Sequence, residues 1–121
     1  MNIKDLCKEA HEIAVEKKWY EKDRSILELL MLIVSELGEA CEAVRKNKRS
    51  PSFEINDFCD MNIHSSNFEK HVKDTFEDEI ADVFIRLTDM CDYLNINIEK
   101  HIRLKMDYNK TRSDRHGGKL Y

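Results

Sequence analysis

Apolar residues recur along most of this chain at steps of three and four, the interval that returns side chains to one face of an α-helix. Ile3, Leu6, Cys7, Ala10, Ile13 and Ala14 form such a stripe and predict a first helix from about Ile3 to Lys18, closed by Trp19-Tyr20. Ser25-x-x-Glu28 matches a capping box, in which serine and glutamate satisfy N–H groups that a first helical turn leaves unpaired. A second helix therefore starts there and runs to near Lys46. Ile26, Leu30, Ile33, Leu37, Cys41 and Val44 fall on one side of it, and Leu29 and Leu32 extend the apolar surface beyond that stripe.

Residues 47–66 show no sustained period and read as a loop insertion. A third helix is predicted from Ser66 or Asn67 to about Leu94, with a bend near Asp74-Thr75 and a core stripe of Phe76, Ile80, Val83, Phe84, Leu87, Cys91 and Leu94. Asn97 caps a fourth helix that ends near Asn109, and residues from about 110 to 121 form a basic tail. The pattern as a whole predicts a single all-α domain over residues 1–121, resembling a four-helix bundle. One bundle core needs one stripe per helix, so the surplus on the second helix predicts a homo-oligomer, a dimer or tetramer.

Composition supports helices over sheets. Three glycines and one proline in 121 residues are too few for the many tight turns of a barrel or sandwich. No apolar run is long enough for a membrane span, and the opening Met1-Asn2-Ile3-Lys4-Asp5 has no secretory apolar region, so a cytoplasmic protein is expected. Cys7, Cys41, Cys59 and Cys91 are scattered without Cys-x-x-Cys spacing, which predicts reduced thiols and no zinc. The net charge of −4 hides an asymmetry. Residues 97–121 carry seven Lys and Arg against three Asp and Glu, whereas the preceding residues carry 13 against 21. An acidic body with one basic segment argues against nucleic acid or a membrane as partner and for a small anion held between cation-loaded carboxylates and basic side chains.

Carboxylates three residues apart on a helix point to the same side and can share one hard cation. That spacing is common here, and Glu9/Glu12, Asp57/Asp60 and Asp89/Asp92 qualify as readily as any; taken alone, each such pair is a solvated face. Position on the wheel separates them. Glu36 and Glu39 border the second helix's apolar surface, Glu79 and Asp82 flank the third helix's stripe beside Val83 and Arg86, and Asp89/Asp92 falls opposite the expected core. Four carboxylates meeting at a helix–helix seam repel unless a cation neutralises them, and an all-oxygen set suits Mg²⁺, or Mn²⁺, rather than zinc. No Asp or Glu has a His three residues later, which argues against a di-iron bundle.

Leu32-Ile33-Val34-Ser35-Glu36-Leu37-Gly38-Glu39-Ala40, followed by Glu77-Asp78-Glu79-Ile80-Ala81-Asp82-Val83, resembles the paired acidic motifs of the MazG-like, all-α nucleoside triphosphate pyrophosphohydrolases. The tail Lys105-x-x-x-Asn109-x-x-Arg112 with His116-Gly117-Gly118-Lys119 is similar to the C-terminal segment of small members. Ser35 stands where that family often has a further acid. The resemblance implies that Glu36, Glu39, Glu79 and Asp82 hold Mg²⁺ and carry catalysis. It further implies that Lys105, Asn109, Arg112 and Lys119 contact phosphate, that His11 and Trp19 face a base, and that a nucleoside triphosphate is cleaved to monophosphate and pyrophosphate. The competing readings are a non-catalytic helical interaction module and, within the same superfamily, a phosphoribosyl-ATP pyrophosphohydrolase.

Overall fold

A computed structural model describes residues 1–50 and 65–112, excluding the side chains of residues 65–67. Among the described residues the chain forms helices and no strand: α1 (Ile3–Glu16), α2 (Ile26–Arg45), α3 (Ser65–His71), α4 (Phe76–Tyr93) and α5 (Ile98–Thr111). None is long and apolar enough to cross a membrane.

Each of the four longer helices starts at a residue whose side-chain oxygen accepts a first-turn N–H that has no helical partner. Asn2 accepts from Asp5, Ser25 from Glu28, Thr75 from Asp78 and Asn97 from Lys100. Only the serine half of the expected capping box at Ser25 forms, because the Glu28 carboxylate pairs with Arg24 instead, 2.5 Å away.

With so few glycines, other residues must end the helices. Lys18, Asn47 and Asn95 take left-handed φ angles of 66°, 55° and 57°. The N–H of the residue after each then reaches back to a carbonyl in the last turn: Trp19 to Ala14, Lys48 to Ala43 and Ile96 to Cys91. The first helix accordingly stops at Glu16, short of the expected Lys18.

The expected continuous third helix is broken in two. Asp74 adopts a φ of 65°, and the Thr75 hydroxyl donates to the Val72 carbonyl at 2.7 Å while accepting from Asp78 N at 3.3 Å. A capping side chain here competes with helix continuation and wins, turning the expected bend into a new helix start.

Helix α4 is the centre of the packing, with α1 against one side and α2 against another, while α5 lies on α1 and buries none of its residues. Leu29, Ile33, Val83 and Met90 form the buried cluster, backed by Tyr20, Tyr93 and Leu94. Small residues, Ala10 and Ala14 on α1 and Ala40 and Ala43 on α2, complete the buried faces.

The buried side of α2 is not the one the periodicity favoured. Its inward residues are Leu29, Ile33, Glu36, Ala40 and Ala43, whereas Ile26, Leu30, Leu37, Cys41 and Val44 face outward. On α4, Val83 and Cys91 are buried as expected, but Phe84 and Leu87 are exposed. A wheel weights hydrophobicity, while close packing of two helices favours the side with small residues. Of the thiols, Cys7 and Cys91 are buried, free and pushed up chiefly by burial, so they behave as small hydrophobes; Cys41 is free and exposed, and Cys59 lies outside the described residues.

Candidate metal centre

The inward face of α2 carries a charged residue, Glu36, between Ile33 and Ala40, and the facing side of α4 carries Glu79 one turn before Val83. Glu36 is 8% exposed and Glu79 5%. Together with Glu39, which is exposed, each offers a carboxylate oxygen, and these oxygens all lie within 4.8 Å of one another. One oxygen of Glu36 and one of Glu79, the Oε2 in each case, is buried and has no hydrogen-bond partner. Buried acceptors are rarely left this way, because each forfeits its hydration without compensation.

The electrostatics reflect the crowding. Glu79 is pushed up to about 7, first by burial and then by Glu39, which shares a hydrogen bond with it and adds charge repulsion together with Asp82 and Glu36. Asp82, one turn along α4 and half-buried, is raised to about 6 by burial and by the charges of Asp78 and Glu36, against the opposing pull of Arg86. The structure thus brings Glu36, Glu39 and Glu79 into one three-oxygen group, with Asp82 coupled to it through charge. Glu79 also belongs to a second such group with Asp74 and Asp78 at the break before α4. Helical spacing does not reveal this group, because Asp74 joins it only through the left-handed turn.

The two acidic segments are held in register by a clamp at the end of α2. Ser50 N donates to Glu77 Oε1 at 2.9 Å, Arg49 Nε donates to Oε2 at 2.7 Å, and Phe76 N donates to the Lys48 carbonyl. Burial works against the Glu77 charge, but these donors outweigh it and hold the carboxyl below its usual range.

Beside the acids stands Arg86. Its Nε donates to Glu36 Oε1 at 2.6 Å, and its guanidinium carbon lies 5.5 Å from the centre of the Trp19 ring. Glu39, Glu79 and Asp82 have no basic partner within ion-pair distance among the described residues. Arg86 also lines a cleft of about 240 Å³ with Trp19, Tyr20, Arg24, Leu29, Leu32 and Asp89. Trp19 is 39% exposed at this cleft.

The expectation that Asp89 is a solvated residue is wrong: it is 4% exposed. His11 Nδ1 donates to its Oδ1 at 2.8 Å and the Tyr20 hydroxyl to its Oδ2 at 2.7 Å. Tyr93 stacks on Tyr20 with ring centres 4.4 Å apart, and its hydroxyl accepts from Arg24 N. The Tyr20 hydroxyl is pushed up by burial and by its bond to Asp89. His11 is therefore tied into the α1–α4 packing, while Trp19 stands at the cleft. The sequence signal missed was Asp89 itself, placed two residues before the buried Cys91.

Among the described residues no hydrogen bond or ion pair joins Lys105, Asn109 or Arg112, the expected phosphate contacts, to the acids of the seam. Lys105 Nζ and the Arg112 guanidinium carbon lie 5.4 and 5.6 Å from the centre of the Tyr108 ring, Lys105 on α5 and Arg112 at its end, and Asn109 is exposed. Lys119 lies outside the described residues. No family model matches the chain, and no significant match is found among curated proteins or solved structures.

Proposed function

We propose that this chain is a divalent-cation-dependent nucleoside triphosphate pyrophosphohydrolase, with Mg²⁺ as the first choice and Mn²⁺ as a substitute. The observation that carries this reading is the seam itself: three carboxylates within 4.8 Å, two of them buried with an unpartnered oxygen each. Hard oxygen donors in that density are what a small divalent cation takes. Glu36, Glu39 and Glu79 would hold it, with Asp82 adding charge from the next turn. Bound there, the cation would offset the repulsion among the acids and supply positive charge against a polyphosphate.

The chain's own groups then have distinct tasks. Water attacks the α-phosphorus, the bond from that phosphorus to the bridging oxygen breaks, and pyrophosphate leaves. Glu39 is the exposed member of the group, which supports its carboxylate as the acceptor of the proton from the attacking water. Trp19, at the rim of the neighbouring cleft, offers a flat surface for a base. The uncovered apolar face of α2 supports assembly into a homo-oligomer, and the same face is what a non-catalytic interaction module would use.

The test is a panel of NTPs, dNTPs and phosphoribosyl-ATP incubated with protein and Mg²⁺, scored for monophosphate and pyrophosphate. Wild-type turnover should fall at least about hundredfold in Glu39→Ala and Glu79→Gln. No turnover of any nucleotide, or equal turnover in both variants, sinks the enzyme reading and leaves the interaction module. Turnover of phosphoribosyl-ATP alone moves the activity to that substrate.

A further inference from the structure

Arg86 is the residue that joins the acidic seam to the Trp19 cleft. It approaches Glu36 through one oxygen only, Oε1 at 2.6 Å, and the other oxygen is the buried, unpartnered one. A carboxylate held by one oxygen cannot rotate freely about its last bond, so the free oxygen is kept in a fixed direction. The same guanidinium lies 5.5 Å from the centre of the Trp19 ring, within the range of a cation–π contact. Arg86 is 27% exposed and reaches Glu36 from the opposite helix, so its position depends on the α2–α4 contact rather than on local chain geometry.

We propose that Arg86 is a positioning residue: it pins Oε1 of Glu36 so that Oε2 is presented to a divalent cation, and it transmits cation binding at the seam to the Trp19 cleft. The inference rests on the seam being a cation site, as put forward above. A cation drawing on the Glu36 carboxylate weakens its hold on the guanidinium, and the guanidinium's charge then acts differently on the indole beside it. Linkage makes the effect reciprocal, so an aromatic ring stacked on Trp19 shifts the cation affinity of the seam by the same factor.

Trp19 is the chain's one tryptophan, so its emission reports this cleft alone. The experiment uses the full chain, with Mg²⁺ as the titrant because it does not quench. Calorimetry measures binding, and indole emission is followed in parallel. In wild type, emission should change along the same saturation curve as the heat. Arg86→Gln should bind Mg²⁺ about tenfold more weakly, the scale of losing a partner that orients a metal ligand, and should lose the emission change while keeping its helical circular dichroism. Arg86→Lys keeps the charge without the planar fork, and should retain most of the affinity with a smaller emission change.

Wild-type emission that stays flat while calorimetry shows saturation overturns the proposal and leaves the cation site standing. Unchanged Mg²⁺ affinity in a folded Arg86→Gln does the same, and should that variant not fold, wild-type affinity together with full emission change in Arg86→Lys also overturns it. Absence of Mg²⁺ binding by wild type overturns both this inference and the cation site.

Discussion

His11 on α1 donates from Nδ1 to Oδ1 of Asp89 on α4 across 2.8 Å, joining residues 78 positions apart. The second Asp89 oxygen takes the Tyr20 hydroxyl, so one buried carboxylate ties together α1, the turn after it and α4. Asp89→Ala would leave two half-buried donors without an acceptor. It should cost about 2–4 kcal/mol of stability, and Asp89→Asn about half of that, because the amide oxygen can still accept from one of the two donors. Urea unfolding of the variants checks this. A loss under about 0.5 kcal/mol in Asp89→Ala would mean that the network contributes no more than an ordinary surface residue.

Glu79 sets a pH dependence whose sign can be worked out. Its carboxyl is raised from 4.5 to about 7 in the folded chain, so between those values the folded state holds the proton more tightly than the unfolded one. This contribution is present in full below pH 4.5 and is lost as pH rises through about 7. Asp82, raised from 3.8 to about 6, acts in the same direction. Glu77, whose carboxyl is lowered, acts oppositely and loses its contribution in acid. In the presence of a chelator, Glu79→Gln should therefore be more stable than wild type at pH 8, by up to roughly 3 kcal/mol, and much closer to it at pH 4. Thermal melts at the two pH values measure the difference, and an equal gain at both would contradict the shifted carboxyl.

The same carboxyl makes cation binding proton-linked. Mg²⁺ should raise the melting temperature of wild type more at pH 8 than at pH 6, since the ligand must lose its proton first, and binding should release protons to the buffer. Calorimetry in buffers of different ionisation enthalpy would detect the release. No buffer dependence near pH 7 would exclude Glu79 as a ligand.

Three helix ends use Lys18, Asn47 and Asn95 where glycine would be unstrained. Lys18→Gly and Asn95→Gly should each stabilise the chain by about 0.5–1 kcal/mol, less at asparagine, which tolerates this conformation better than lysine. Denaturation midpoints test both. A loss at Lys18 would show that its side chain contributes more than its backbone strain costs.

The outward face of α2 presents Leu27 at 76% and Met31 at 62% exposure. Gly38 lies on the same side of α2, and a Cβ built there would meet nothing within 4 Å. Burying each large side chain is worth roughly 1.5–3 kcal/mol, so a second copy over this face gains from several at once. Wild type should run as an oligomer in analytical ultracentrifugation, and the double variant Leu27→Lys with Met31→Lys as a monomer. A monomeric wild type would contradict that assembly.

Several features were legible in the chain because their causes are local. The caps at Ser25 and Asn97 follow from one side chain and the N–H three residues on. The acidic pairs stand out because Glu36/Glu39 and Glu79/Asp82 border the apolar stripes of their helices, where a helix–helix contact is expected. Asp89 was misread for the complementary reason. A wheel gives no sign that His11 and Tyr20, 78 and 69 residues away, will be there to satisfy it. Arg86 was noted only as a neighbour of Asp82, and its contacts with Glu36 and Trp19 come from other elements.

Helix content, the helix starts at Ser25 and Asn97 and the spacing of the candidate ligands were determined by the sequence alone, since each depends on residues within about one turn of one another. Tertiary structure decided which of two apolar faces of α2 turns inward and that Glu36, Glu39 and Glu79 meet in one group. Those outcomes depend on how closely helices distant in sequence can approach. That distance is set by the sizes of side chains on both partners, which no single helix's pattern contains.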